Sequence, residues 1–338
     1  MAIEIRKAQL ELWARKQLAA MAISVSVESC LASASDDASF RRYYRYQDGN
    51  HSFIFVDAPP EKEDSKPFVT VAGYLKDVNL NAPFVYAADY DLGFMMLSDL
   101  GSSHYLSAFE NASVDNLIED AVLAICSMQS IRDPLPPYDE ALLRSEMSLF
   151  PEWFLDKQLG LSLSESENEM LQSVYRLLVD NALQQPQVFV HRDYHSRNLM
   201  VTEEGSPGIL DFQDAVCGPI TYDLVSLVRD CYFKLPDQQI TRYVNYFRKL
   251  LLDSRRIGTV DEAQFRQWFD LMGLQRHIKC AGIFSRLNIR DGKSAYLGDI
   301  PLAIRYMGEA CRSYPELHAF RDWLAKVVEP HLQLGIFN

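Results

Sequence analysis

The chain has no Cys-x-x-Cys pair. Its six cysteines, Cys30, Cys126, Cys217, Cys231, Cys280 and Cys311, are scattered through 338 residues. That distribution offers no zinc-ligand spacing and fits reduced, buried thiols. No apolar run is long enough to span a bilayer. Met1 to Ala22 carries charges throughout and lacks the apolar core of a signal peptide, so a cytoplasmic protein is expected. Positive charge is in short supply: 33 Lys and Arg stand against 46 Asp and Glu, a net charge of −13. This argues against a protein that holds nucleic acid or an anionic membrane by bulk electrostatics, while leaving room for a local basic pocket. Internal repeats and low-complexity linkers are also missing. Nothing in the sequence calls for an obligate protein partner. With 48% hydrophobic and 23% charged residues, the chain can bury the core of one large domain or two lobes.

Against these absences stands one dense stretch, His191-Arg192-Asp193-Tyr194-His195-Ser196-Arg197-Asn198, followed by Leu210-Asp211-Phe212. An Asp, four intervening residues, an Asn, and a second Asp after a short apolar run is the spacing used to move the terminal phosphoryl group of ATP. That chemistry needs a carboxylate to orient the acceptor hydroxyl and oxygen ligands for magnesium. Val188 to His191, Asn198 to Thr202 and Gly208 to Phe212 are short runs of strand type. The turn Glu203-Glu204-Gly205-Ser206-Pro207-Gly208 folds the second and third into a hairpin. Asp193 is then the expected catalytic residue, on the loop after the first run. Asn198 and Asp211 are the expected magnesium ligands, meeting at one end of the hairpin beside that loop.

Patterning divides the remainder. Residues 5–22 have helical spacing, with Leu10, Leu12, Trp13 and Leu18 as core candidates. Phe40 to Tyr46 and Ser52 to Val56 read as a hairpin around Asp48-Gly49-Asn50. A helix is expected near Pro67 to Lys76, and strands at Phe84 to Tyr86 and Gly93 to Leu97. Beyond them apolar positions recur at helical intervals over 115–131, 140–159, 165–184, 222–233, 238–252, 262–289, 302–313 and 316–328. Ser164 and Glu167 form a possible capping box. The expected division is an ATP-covering lobe over 1–98, a hinge at 99–101, and a helical lobe over 102–338 that carries the catalytic loop and acceptor site.

This arrangement resembles the aminoglycoside-phosphotransferase-like kinases, relatives of choline and protein kinases. The resemblance implies an α+β, bilobal protein-kinase-like fold with a small sheet lobe and a large helical lobe. It also implies structural roles for His191 and for Asp223, of Tyr222-Asp223-Leu224, in bracing the catalytic loop. A closer resemblance is carried by Asp37-Ala38-Ser39-Phe40-Arg41-Arg42-Tyr43, Val56-Asp57-Ala58-Pro59-Pro60 and Ser98-Asp99-Leu100-Gly101. Further along, Gln275-Arg276-His277-x-Lys279, Gly282-x-Phe284-x-Arg286-Leu287 and Arg290-Asp291-Gly292-Lys293 add to it. These motifs are similar to those of the anomeric N-acetylmuramate/N-acetylglucosamine kinases of bacterial cell-wall recycling. Such enzymes use ATP to phosphorylate the C1 hydroxyl of an amino sugar.

Two departures stand out. There is no Gly-x-Gly-x-x-Gly loop, and no lysine lies on the strand Phe53 to Val56 where these folds place the one that meets the ATP phosphates. Ser39, with Arg41 and Arg42, stands at the corresponding turn; Arg41, Arg42 or Lys62 can supply the phosphate cation, and the arginines can instead make surface ion pairs. Leu97, Ser98 and Asp99 are the expected adenine-facing segment. For the acceptor, the candidates are Glu146, Trp153 and Asp214, with Arg276, Lys279 and Arg286 as partners for a lactyl carboxylate. Trp153 can equally be a core aromatic, and the basic set a solvated face. The alternatives are a kinase for choline, a homoserine-type acceptor or an aminoglycoside, and a nucleotide sensor without catalysis.

Overall fold

The structure is a computed structural model that describes residues 2–23, 31–35, 40–49, 51–110, 113–332 and 337. The chain forms two compact units, Met1–His104 with Leu199–Asp214, and Tyr105–Asn198 with Ala215–Asn338. The segment Leu199–Asp214, which the division at 99–101 leaves with the helical part, packs with the first unit.

The first unit opens with helix α1 (Ala2–Ala20), followed by β1 (Ala32–Ser35), β2 (Arg42–Asp48), β3 (His51–Asp57), α2 (Lys66–Asp77), β4 (Val85–Asp89) and β5 (Phe94–Ser98). The strands form one antiparallel sheet in the order β1-β2-β3-β5-β4. Strand alternation sends Tyr44, Tyr46, Phe53 and Phe55 into a core with Leu10, Trp13, Ala14 and Leu18 of α1. Trp13 meets Phe55 edge-on at 6.3 Å. Leu12, expected in that core, is 60% exposed. Two residues along a helix turn the side chain about 200° away from Leu10, so both cannot face the sheet. Strand β1 was not foreseen, because Ala-Ser-Ala-Ser lacks the β-branched and aromatic residues that mark a strand.

The second unit is mainly helical. It begins with α3 (Tyr105–Ala108), α4 (Val114–Met128) and α5 (Glu140–Met147). The single helix expected over 140–159 is two: α5 ends at Met147, and a wider-wound helix runs from Phe150 to Gln158. Pro151 has no N–H to give Met147, and its ring clashes with that carbonyl. Next come α6 (Glu165–Leu183), started by a complete Ser164–Glu167 capping box, and β6 (Gln187–Val190). The chain then adds a two-residue hairpin, β7 (Leu199–Met200) with β8 (Gly208–Ile209), to the first unit. On its return, β9 (Val216–Pro219) pairs antiparallel with β6. Helices α7 (Tyr222–Val228), α8 (Asp237–Asp253), α9 (Glu262–Asp291), α10 (Ile300–Cys311), α11 (His318–Trp323) and α12 (Glu329–Leu332) complete it.

Helix α9 is the spine of this unit, with buried side chains on all sides along its middle. At Gly282 it passes so near the chain that an added Cβ would lie 2.5 Å from the carbonyl carbon of Leu149. No helix among the described residues is long and apolar enough to cross a membrane.

Candidate active site

In the second unit, the segment after β6 is held from beneath by Asp223, near the start of α7. Its two carboxylate oxygens accept hydrogen bonds from the backbone N–H groups of His191 (2.8 Å) and Arg192 (3.1 Å). Burial pushes the Asp223 carboxyl up to about 7, against the pull of those two donors. Arg192 adopts a left-handed backbone with φ of 77°. A non-glycine residue rarely sits there unless its surroundings hold it. The Tyr194 hydroxyl donates to the Ala121 carbonyl at 3.0 Å, and His191, fully buried, meets Tyr194 edge-on at 5.5 Å. The loop is thus anchored on both sides of Asp193.

Asp193 is half-buried, and its carboxylate makes no hydrogen bond or ion pair among the described residues. Its backbone carbonyl accepts from the His195 N–H (3.1 Å) and the Asn198 side-chain amide (2.9 Å). Burial alone would raise the Asp193 carboxyl. The charges of Lys279, His195, Arg192 and Arg276 outweigh burial and bring it down to about 2.

Beside Asp193 lies a buried ionic network. Glu146, on α5, pairs with the Arg192 guanidinium, with Lys279 Nζ at 3.1 Å, and with the Tyr138 hydroxyl. Lys279 also donates to Tyr222 Oη at 3.2 Å, and Gln275 to Tyr138 Oη at 3.4 Å. Burial pushes the Glu146 carboxyl up, but Lys279 and Arg192 overcome it and hold the group below the usual carboxylate range. Glu146 and Lys279, both expected on the acceptor, are therefore each other's partners.

Behind the loop, Asp230 accepts from the Ser196 N–H (3.0 Å), the Ser196 hydroxyl and the Tyr232 N–H (3.0 Å). These bonds explain why the helix expected over 222–233 stops at Val228. Asp230 satisfies backbone donors in a non-helical turn, a local alternative to the helical ladder. His195 is buried, its imidazole is pushed down chiefly by burial, and its ring meets Tyr232 edge-on at 5.1 Å. Arg197 lies 3.7 Å over the Tyr232 ring. Arg276 is 3% exposed, with the Cys231 sulfur 3.6 Å from its Nη1. Trp153 is half-buried under the Lys157 ammonium at 3.6 Å. Arg286 is half-buried, and its Nε has no partner among the described residues.

In the first unit, Leu199 pairs with Ile209 and Met200 with Gly208. Asp211 follows this hairpin with φ of 62°, a second strained non-glycine residue, and its Oδ1 accepts from Gln213 at 2.7 Å. Phe212 packs on Phe68 at 4.7 Å. Asp214 is exposed. Arg42 pairs with Asp57 at 3.1 Å, a buried carboxylate that Arg6 also grips at 2.6 and 2.8 Å. Arg41 is buried against Glu63 at 3.2 Å. Leu97 is buried opposite Ile54, Ser98 Oγ accepts from the Phe84 N–H, and Asp99 is held by Arg45 and Ser52. Ser39 lies outside the described residues.

Sequence reasoning missed Tyr138, Tyr222 and Asp230 as builders of this site. Only Tyr222 carried a signal, as part of Tyr222-Asp223-Leu224. The other two also take partners distant along the chain, Gln275 for Tyr138 and Ser196 for Asp230, which no local spacing marks.

Comparison with known proteins follows the same direction. The sequence pattern of the phosphotransferase enzyme family matches residues 31–257. A Pseudomonas putida protein named N-acetylmuramate/N-acetylglucosamine kinase is 40% identical over 331 residues, covering 96% of this chain and 97% of that one. Proteins of the same name from Pseudomonas aeruginosa (44%, 88% of each chain) and Neisseria meningitidis (41%, 90% of this chain and 93% of that one) are also similar. Among solved structures, a choline kinase from Streptococcus pneumoniae matches with a TM-score of 0.59 at 12% identity, covering 89% of this chain and 99% of that one. An aminoglycoside phosphotransferase with ADP bound matches with 0.57 at 14%, covering 90% and 98%. At these identities the structures establish the shared fold.

Proposed function

This chain belongs to the phosphotransferase enzyme family, and we propose that it is a kinase using ATP to phosphorylate the C1 hydroxyl of N-acetylmuramate and N-acetylglucosamine. The relatives' shared name over nearly the full length supports the acceptor. The single structural observation that carries the chemistry is Asp193. Its carboxylate is kept ionised by surrounding cations, accessible in part, and unengaged among the described residues. The other buried acids of the second unit's site, Glu146, Asp223 and Asp230, are all taken up by protein donors. A sensor that had lost catalysis has no need of a partly accessible, ionised carboxylate on a strained and doubly anchored loop.

In this reading Asp193 accepts the hydrogen bond of the anomeric hydroxyl and orients it for attack. An anomeric hydroxyl is more acidic than an ordinary alcohol, so alignment contributes more than proton removal. Asn198 and Asp211 are proposed to hold magnesium. The donor types fit: Asn198 gives its amide N–H to the Asp193 carbonyl, which turns the amide oxygen away from that bond, and Asp211 supplies a carboxylate from a strained turn. The described residues contain no group of three or more His, Cys, Asp and Glu able to hold a metal. Magnesium suits such a sparse set, since it takes one or two carboxylates and completes its shell with water and phosphate oxygens. When bound it would neutralise charge on the transferring phosphate. Arg42 is proposed as the phosphate cation in place of a strand lysine, because Arg6 already engages its partner Asp57 through two bonds. Leu97 to Asp99 is proposed to face the adenine. ATP supply and reduced thiols fit a cytoplasmic enzyme.

The test is ATP consumption with purified protein and a panel of N-acetylmuramate, N-acetylglucosamine, choline and aminoglycosides, with the product position read by phosphorus NMR. The proposal expects an anomeric phosphate on the amino sugars. Turnover on choline or an aminoglycoside alone would replace the acceptor, and no turnover on any of them would overturn catalysis.

A further inference from the structure

Arg276 is a buried guanidinium beside the Cys231 and Cys280 thiols, with no carboxylate partner of its own among the described residues. It is 3% exposed, and no carboxylate among the described residues lies within ion-pair distance of it. Of its five N–H donors, one is directed at the Cys231 sulfur, a weak acceptor, at 3.6 Å. The surrounding acids are engaged elsewhere. Glu146 holds Arg192 and Lys279, Asp223 holds the His191 and Arg192 N–H groups, and Asp230 holds Ser196 and Tyr232. An unpaired buried charge is strongly destabilising. A fold keeps such a group where a ligand supplies the missing partner.

The surroundings of Arg276 identify the ligand's position. It stands one helical turn before Lys279 on α9, whose ammonium reaches the Glu146–Arg192 pair next to Asp193. Cys231, which Arg276 Nη1 meets, follows Asp230, which clamps Ser196 of the loop that carries Asp193. The positive charge of Arg276 also bears on Asp193 itself. Lys279 already has its carboxylate. Arg286, ten residues further along α9, is about 15 Å away along the axis and lies among Arg290, Asp291 and Glu152. Among the described residues, Arg276 is therefore a cation close to Asp193 that has no carboxylate of its own.

We propose that Arg276 binds the lactyl carboxylate of N-acetylmuramate and sets the enzyme's preference for the acidic sugar over its neutral counterpart. This rests on the acceptor reading above. The two sugars differ by one lactyl ether, and a planar guanidinium is suited to gripping its carboxylate through two parallel bonds. The transferring phosphoryl group is the other anion at such a site, and it is present whichever sugar is bound.

That difference makes the test. Steady-state kinetics are measured on N-acetylmuramate, its methyl ester and N-acetylglucosamine, with wild type, Arg276→Gln and Arg276→Lys. Wild type should favour the acid over the ester in kcat/KM. Arg276→Gln should shrink that ratio roughly 10- to 100-fold, the range of a charged hydrogen-bonded contact, mainly through KM, and Arg276→Lys should restore part of it. An equal loss on acid and ester would overturn the proposal and assign Arg276 to the phosphoryl group or the fold. An unchanged ratio would overturn it too. Should Arg276→Gln not fold, equal kcat/KM of wild type on acid and ester is sufficient to reject it. Wild type inactive on all three sugars would instead reject the acceptor reading, a result visible before any variant is made.

Discussion

Glu146 and Lys279 meet at 3.1 Å beneath the loop that carries Asp193, both almost fully buried. Arg192, the residue before Asp193, joins them on the same carboxylate. One acid thereby holds two cations close to Asp193, and those cations keep Asp193 ionised. The network links the position of α9 to the charge state of the loop.

Glu146→Gln should take from Arg192 and Lys279 the carboxylate charge they share. Removing one partner of a buried pair costs about 3–5 kcal/mol. Urea denaturation should show a loss of that order, and a stability within 1 kcal/mol of wild type, a limit set by the range for exposed pairs, would mean the network contributes little.

Asp193→Asn keeps the shape of the side chain and removes its charge. Turnover should fall by at least about 10²- to 10⁴-fold, while calorimetric titration still detects ATP binding. Because the Asp193 carboxyl sits at about 2, its own titration should place no acid limb on the wild-type rate profile near neutrality. Near-normal turnover of the variant would remove Asp193 from the mechanism.

Asp223 makes stability depend on pH in an unusual direction for an acid. Its carboxyl titrates at about 7 when folded and at about 3.9 when unfolded. Between these values the folded protein keeps a proton that the unfolded chain has lost. Its contribution is full below pH ~4 and is lost as pH rises through 7, at up to about 1.4 kcal/mol per pH unit. Compared by denaturation at several pH values, wild type should weaken more on going up than Asp223→Asn does. Parallel curves for the two proteins would contradict this.

Gly282→Ala tests the close approach of α9 to Leu149. A Cβ at 2.5 Å from the Leu149 carbonyl carbon forces backbone apart, and overpacking of this kind costs about 1–3 kcal/mol. The melting temperature should drop accordingly. An unchanged value would show that the two segments separate without strain.

What could be read in advance followed what is local. Strands β2 to β5, the capping box at Ser164 and the hairpin after Asn198 all appear where alternation, caps and turn residues put them. Where a local rule met a stronger neighbour, it failed. Pro151 split a helix that periodicity ran through, and Asp230 ended another by taking backbone donors for itself. Leu12 is apolar but lies on the wrong side of α1.

The candidate site divides in the same way. By sequence alone, the residue types and spacing of Asp193, Asn198 and Asp211 pointed to phosphoryl transfer, because the distance between these groups along the chain is itself part of the motif. Which charges are already neutralised was decided only by the tertiary structure. Lys279 and Arg276 look alike three residues apart in one helix. Packing gives the first a carboxylate from α5 and, among the described residues, brings none to the second, since a buried charge is compensated by whatever the fold brings to it.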